Sequence, residues 1–232
     1  MLLTSRGIVL QSFKYGENSL MSKVISHDRG LITLLSNKTK NKKNKQGNFF
    51  QPLSAIQFVC YISNKSDVHR IKEITYNNNI PLPPESMTVN AVRFFLAEFL
   101  SKVIREQEQN FELFDYIESQ LSKMNTGQNI SSSFHIQFLT ALMNILGIQP
   151  FIDSTHLYLD LQEGEGCSIK PRHSKFFNKQ EIDLYLLGIN NPTELKRTER
   201  SKLLNLLLSY YDTQLGGIAN IKSKAVLEIV FG

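Results

Sequence analysis

Through the first third of the chain apolar and polar positions alternate with a period of two, the spacing at which a half-buried strand shows its faces. The pattern predicts five strands, Arg6–Tyr15, Leu20–Ser26, Leu31–Leu35, Leu53–Ile62 and Val68–Ile74, parted by turn signals at Gly16–Asn18, Asp28–Gly30 and Asn64–Asp67. Five short antiparallel strands with the longest connection in the middle predict a small barrel of the OB type. That fold closes its edges and leaves a strand face and the flanking loops open to single-stranded nucleic acid. A five-stranded SH3-like barrel fits the same spacing.

The period then changes. Asn77-Asn78-Asn79 and Ile80-Pro81-Leu82-Pro83-Pro84 can neither continue a strand nor open a helix, because proline lacks the donor and biases its predecessor towards extended geometry. Beyond it, Val89, Val92, Phe95, Leu96, Phe99, Leu100 and Val103 form an apolar stripe at helical spacing, with Ser86 or Thr88 as N-cap. Leu113, Ile117 and Leu121 mark a second helix. Ser131–Ser133 cap a third, with Phe134, Phe138, Leu142 and Ile145 inward before Gly147 and Pro150. His156–Leu161 alternates like a strand and Glu163–Gly166 turns, which predicts a small hairpin-like insertion at about 153–178. Helix resumes over Lys179–Leu187, stopped by Gly188, then over Glu199–Leu215, stopped by Gly216-Gly217, and closes at Lys222–Val230.

The expected fold class is therefore α+β. Residues 1–79 read as an OB-type nucleic-acid-binding domain, 80–84 as a Pro-rich linker, and 85–232 as a mainly helical domain carrying the insertion. With 41% hydrophobic residues in 232, the chain has material for a real core. No run of about 18 uninterrupted apolar residues occurs, and the N-terminus has only short apolar stretches broken by Arg6, Gln11 and Lys14. Neither a membrane span nor secretion is expected. Cys60 and Cys167 are too far apart in sequence and context to form a disulfide framework or a CxxC half-site, which fits a reducing cytoplasm.

Charge sharpens the picture. Residues 1–80 carry 12 Lys+Arg against 4 Asp+Glu, whereas residues 81–232 carry 14 against 17. Between Ser36 and Asn48 lie Lys38, Lys40, Lys42, Lys43 and Lys45 with no acid, followed by Phe49 and Phe50. Lysines on a barrel loop offer mobile point charges for phosphates, and nearby rings can stack unpaired bases, although lysine runs are also common as plain solvated loops. Arg6 and Arg70 add guanidinium groups in or near strands, and Phe13 and Tyr15 share a strand face.

Enzyme signatures are missing: there is no GxGxxG after a strand, no GxxxxGK[ST], no HExxH and no GxSxG. His156, Cys167 and His173 are three scattered donors where structural zinc wants four in tight pairs. Glu163 and Glu165, and Glu106, Glu108 and Glu112, read as solvated faces, and Tyr210-Tyr211 falls at helical spacing with Leu203, Leu206 and Leu207 as core. No catalytic residue, metal or cofactor is expected.

Taken in order, Gly7-Ile8-Val9-Leu10, Tyr15-Gly16-Glu17-Asn18-Ser19, Gly30, the basic loop and Gln51-Pro52 resemble the opening of the RecO family of bacterial DNA repair and recombination mediators. Phe95-Leu96-Ala97-Glu98 with Leu113-Phe114 resembles its first two helices. Leu142–Pro150 is similar to the helix end before its insertion, and Tyr210-Tyr211, Leu215, Lys222-Ser223, Val226-Leu227 and Phe231 to its C-terminal signature. The chain departs from the pattern at His156–His173, where many members carry a cysteine-rich zinc site and this one has Cys167 alone, so a zinc-free variant is expected.

The resemblance implies an N-terminal OB-fold, a helical C-terminal domain, binding of single- and double-stranded DNA and annealing of complementary strands. It implies RecR and the single-stranded DNA-binding protein as partners, a functional link to RecA loading, and a nucleoid-associated place in the cytoplasm. The acidic, aromatic-ended tail of the single-stranded DNA-binding protein would enter a hydrophobic groove with basic rims on the helical domain, for which Arg93, Lys102, Arg105 and Arg200 are cations to consider, with Lys196, Arg197 and Lys202 beside them. The alternative from another class is a non-enzymatic protein–protein adaptor whose basic barrel binds an acidic partner instead of DNA.

Overall fold

The computed structural model describes residues 1–37, 49–62, 67–105, 108–127 and 130–231. Five strands, β1 (Leu2–Tyr15), β2 (Ser19–Ser26), β3 (Gly30–Asn37), β4 (Ala55–Tyr61) and β5 (Val68–Tyr76), close a barrel in the order β1-β2-β3-β5-β4. All pairings are antiparallel except the short parallel one between β3 and β5. This is the OB-type barrel; the periodicity alone left the SH3-like order open, because strand order is a property of pairing and not of alternation.

β1 is longer than its alternation predicts because it serves two neighbours, pairing β4 through its first half and β2 through its second. A register shift between Val9 and Gln11 lets one strand turn the corner. Gly7, where β1 pairs with both neighbours, has no room for a side chain: a Cβ there would lie 2.6 Å from Val24 Cγ1 and 2.9 Å from Phe58 Cε1. Inside, Val9, Val24, Ile32, Leu34, Ile56, Phe58 and Cys60 form the barrel core.

Two compact units divide the chain, Met1–Gln128 and Asn129–Gly232. The first therefore contains the barrel and two helices, α1 (Met87–Val103) and α2 (Phe111–Thr126). Ser86 and Asn110 cap them by accepting the backbone N–H of Val89 and Leu113. The Asn/Pro stretch between barrel and helices is held from both sides: Asn77 Nδ2 donates to Glu118 at 2.9 Å, and Asn125 Nδ2 donates to the Pro81 carbonyl at 2.6 Å.

The second unit holds α3 (Phe134–Ile145), α4 (Lys179–Asn190), α5 (Arg197–Leu215) and α6 (Lys224–Phe231) and a small sheet of order β7-β6-β8, formed by β6 (Tyr158–Asp160), β7 (Glu165–Cys167) and β8 (Phe176–Asn178), against which α4 packs. Tyr210 and Tyr211 are buried as expected, each hydroxyl donating to a carbonyl, of Ile148 at 2.8 Å and of Leu139 at 2.7 Å. Gly188 does not stop α4. It lies inside the helix and is needed for packing, since a Cβ there would come 2.1 Å from Leu203 Cδ2. Gly216, with φ at 69°, does end α5.

Candidate nucleic-acid interface

Outward-facing residues of the barrel line up across the strands. Phe13 pairs with Met21, Met21 with Leu35, Leu35 with Arg70, Arg70 with Tyr61, and Tyr61 with Leu2, so one row runs through all five strands and returns to β1. The barrel stagger makes that return fall at the opposite end of β1. Phe13 is 42% exposed, Tyr61 51% and Leu2 47%, and Arg70 is exposed between them. Such a band of apolar and aromatic side chains is unusual on an antiparallel strand's solvent face, where polar residues are the rule. Tyr15, 57% exposed, extends it at the β1–β2 end, and Lys23 flanks it in the next outward row, opposite Gln11 and Thr33.

The described part of β3 ends on this face. Asn37, the last described residue of β3, pairs with Ser19, which pairs with Tyr15, and Ser19 Oγ donates to Asn37 Oδ1 at 3.3 Å. Lys38, Lys40, Lys42, Lys43 and Lys45 themselves lie outside the described residues. The returning arm is anchored firmly: Leu53 N–H donates to the Val9 carbonyl at 2.7 Å, Ser12 Oγ to the Phe50 carbonyl at 3.0 Å, and Arg93 Nη2 to the Pro52 carbonyl at 2.8 Å. Leu53 holds a left-handed φ of 57°, a strain that its complete burial compensates.

Several sequence expectations change here. Arg6 faces α2: its guanidinium pairs with Glu118 and lies 5.3 Å from the centroid of the Phe114 ring, so it is spent within the fold. Phe50 is 5% exposed and has no face to give a base. Phe49 is half-buried with its ring 4.4 Å from that of Tyr76, leaving one side for contact at most. Arg93 is 4% exposed inside the first unit and cannot reach a partner peptide. Burial pulls its guanidinium down to about 10, against the opposing influence of Tyr76, and it stays charged at neutral pH. Its apparent helix-surface position hid a buried anchor. Only Arg70 of the two strand arginines stands on the exposed face.

Lys102 and Arg105 close α1, where Arg105 Nε donates to the Lys102 carbonyl at 3.1 Å. Arg200 is in the other unit, in a groove of about 290 Å³ that also takes in His135, Arg197, Leu204, Leu227, Glu228 and Phe231. Its guanidinium is fixed by the carbonyls of Leu195, at 2.7 Å, and Phe231, at 3.4 Å. The groove thus combines apolar side chains with two arginines and one carboxylate, Glu228.

The insertion's histidines are occupied elsewhere. His156 lies 3.0 Å from Asp153, and His173 Nε2 lies 3.0 Å from Asp160. Among the described residues no group of three or more His, Cys, Asp or Glu is placed to hold a metal ion. Cys60 is fully buried, which pushes its thiol up to about 11 and leaves it an inert core residue. Among the described residues no helix is long and apolar enough to cross a membrane.

A closed OB-type barrel bearing an aromatic row beside cations, followed by a helical unit, defines the class of OB-fold proteins with a surface of the kind that single-strand binders carry. Residues 1–79 match the family model Recombination protein O N terminal, and residues 84–225 match Recombination protein O C terminal. Along their full lengths the chain is 31% identical to the DNA repair protein RecO of Azobacteroides pseudotrichonymphae and 30% identical to those of Bacteroides fragilis and Flavobacterium psychrophilum. The chain belongs to the RecO family of DNA repair proteins. The family's two sequence segments meet near residue 80, whereas packing joins α1 and α2 to the barrel.

Proposed function

We propose that this protein is a non-enzymatic mediator of DNA repair and recombination that binds single- and double-stranded DNA on the barrel and anneals complementary strands. The observation that carries the reading is the Phe13–Met21–Leu35–Arg70–Tyr61 row, in which Phe13, Arg70 and Tyr61 are exposed and Met21 and Leu35 half-buried, with the lysine-rich segment following β3 in sequence. Rings and aliphatic chains give bases a sequence-tolerant surface, while Lys38, Lys40, Lys42, Lys43, Lys45 and Arg70 neutralise phosphates. Two strands that approach a cationic surface no longer repel each other as they do in water, so pairing speeds up with no covalent step.

In this reading the protein works with RecR to help load RecA on strands coated by the single-stranded DNA-binding protein, in the cytoplasm and at the nucleoid. The groove lined by Arg200, Arg197, Leu204, Leu227 and Phe231, with Glu228 also in its lining, is the place in the helical unit for an acidic, aromatic-ended tail. Lys102 and Arg105, on the first unit, serve DNA or a different partner contact.

Annealing of two complementary labelled oligonucleotides tests the proposal. The wild-type protein is expected to accelerate pairing without nucleotide or metal, and the variant with all five loop lysines changed to Gln to lose most of that acceleration. No acceleration by the wild type would sink the mediator reading and favour the adaptor.

A further inference from the structure

Residues 81–232 are acidic in sum, yet from Gly166 to Gln180 the chain carries Lys170, Arg172, Lys175 and Lys179 with no acid. Lys179 is committed, its ammonium donating to the Ser154 carbonyl at 2.7 Å and to Asp183 at 2.8 Å. Lys170, Arg172 and Lys175 are exposed and take part in no ion pair among the described residues. Lys170 Nζ stands 5.2 Å from the centroid of the Phe176 ring, itself packed edge-on to Tyr158.

The segment from Ser168 to Lys175 is a strap between β7 and β8, and it is tied down towards both ends. Cys167 Sγ donates to the Ile169 carbonyl at 3.2 Å, Leu161 N–H to the Lys175 carbonyl at 3.1 Å, and Lys175 N–H to His173 Nδ1 at 3.2 Å. With Nδ1 accepting, His173 Nε2 carries the proton and donates to Asp160. Asp160 also accepts the N–H groups of Gln162 and Glu163, at 2.8 and 3.3 Å, so its charge is turned inward. Its partial burial raises the carboxyl pKa, but those bonds outweigh that and hold it below the usual range. Glu165 lies across β6 from Phe176, two strand spacings or about 10 Å away, which is roughly a Debye length at 0.1 M salt. The three cations thus present their charge to solvent on a held backbone, and ordering them on a ligand costs less entropy than ordering a free loop.

We propose that the Ser168–Lys175 strap, through Lys170, Arg172 and Lys175, is a second phosphate contact for single-stranded DNA, on the unit that does not carry the barrel. The inference rests on the annealing reading above and deepens it. Annealing needs two polyanions held by one protein, and a cationic strap on the second unit gives the second strand phosphate contacts of its own.

The test compares full-length wild type with a K170Q/R172Q/K175Q variant, titrating a labelled oligothymidylate long enough to span both units over a range of salt. All three side chains are exposed, so the thermal midpoint should hold, which separates folding from binding. Loss of three phosphate contacts should flatten the log–log salt slope by about 2, at roughly 0.7 per phosphate, and slow annealing. A K170R/K175R variant should keep the wild-type slope. Steep wild-type binding with an identical slope and annealing rate in the triple Gln variant overturns the strap alone. Absence of salt-dependent binding by the wild type overturns both the strap and the barrel reading.

Discussion

The Arg6 guanidinium and the Glu118 carboxylate meet at 2.5 Å, tying the first strand of the barrel to the second helix. Glu118 also accepts Asn77 Nδ2, so one carboxylate, 14% exposed, gathers β1, the end of β5 and α2. The barrel is therefore finished by a helix from beyond residue 80, and the first unit is expected to unfold as one.

Replacing Glu118 with Ala should destabilise the first unit by about 1–3 kcal/mol, the cost of leaving a partly buried cation and an amide without their acceptor. In a double-mutant cycle Arg6→Ala and Glu118→Ala should lose less together than the sum of the singles. Urea unfolding measures both, and strict additivity would show that the pair does not couple.

Arg93→Gln should also destabilise, by about 1.5–3 kcal/mol, because the charged donor to Pro52 is lost in a dry setting. Its distinguishing effect is on the lysine segment, whose returning arm Arg93 clamps. Amide exchange at residues 50–54 should rise in the variant more than at β2 or β3; uniform exchange would mean that the clamp is not local.

Gly188→Ala sets two effects against each other. Helix propensity favours Ala by about 1 kcal/mol. The new methyl meets a fully buried Leu203 with no room to retreat, at a cost of about 1–3 kcal/mol. Net destabilisation of the second unit is expected, and a rise in thermal midpoint would contradict the packing account.

Stability should fall as pH drops below neutrality. His135 is buried, which lowers it to about 4, with Arg200 nearby acting in the same direction, and burial also lowers His69. Each binds a proton less readily in the fold than in the unfolded chain, which takes up protons from about pH 6.5 downward. Their neutral-form stability is fully present above pH 6.5 and lost progressively towards about pH 4, where native His135 protonates too. Thermal melts from pH 7.5 to 4.5 should show this decline, and His135→Gln should flatten it; an unchanged profile in that variant would shift the effect to the carboxylates.

Much of the fold was legible because it rests on local pattern: alternation located five strands, a 3.6 period located the helices, and Ser86 and Gly216 marked helix ends where expected. What escaped was fixed by distant contacts. Phe176–Asn178 is too short to show alternation and becomes a strand only by pairing with Tyr158–Asp160. Gly188 looked like a stop because a glycine's partner across a helix interface is invisible in sequence. At the candidate site, the exposed Arg70 was evident from charge, whereas burial of Arg93 and Phe50 and the pairing of Arg6 were not, since amphipathic position alone does not say what covers it. Phe13 and Tyr15 could be seen to share a face. That Met21, Leu35, Arg70 and Tyr61 complete the row follows only from register.

The most direct test of the central claim is fluorescence anisotropy of a labelled single-stranded oligonucleotide titrated at several salt concentrations with wild type and with a Phe13→Ala/Tyr61→Ala variant. Binding through the row predicts steep salt dependence in both proteins. It also predicts an affinity loss in the variant equal to about 1–3 kcal/mol per stacked base, with the slope unchanged because no phosphate contact is removed. Equal affinity for the two proteins would contradict the row as the interface.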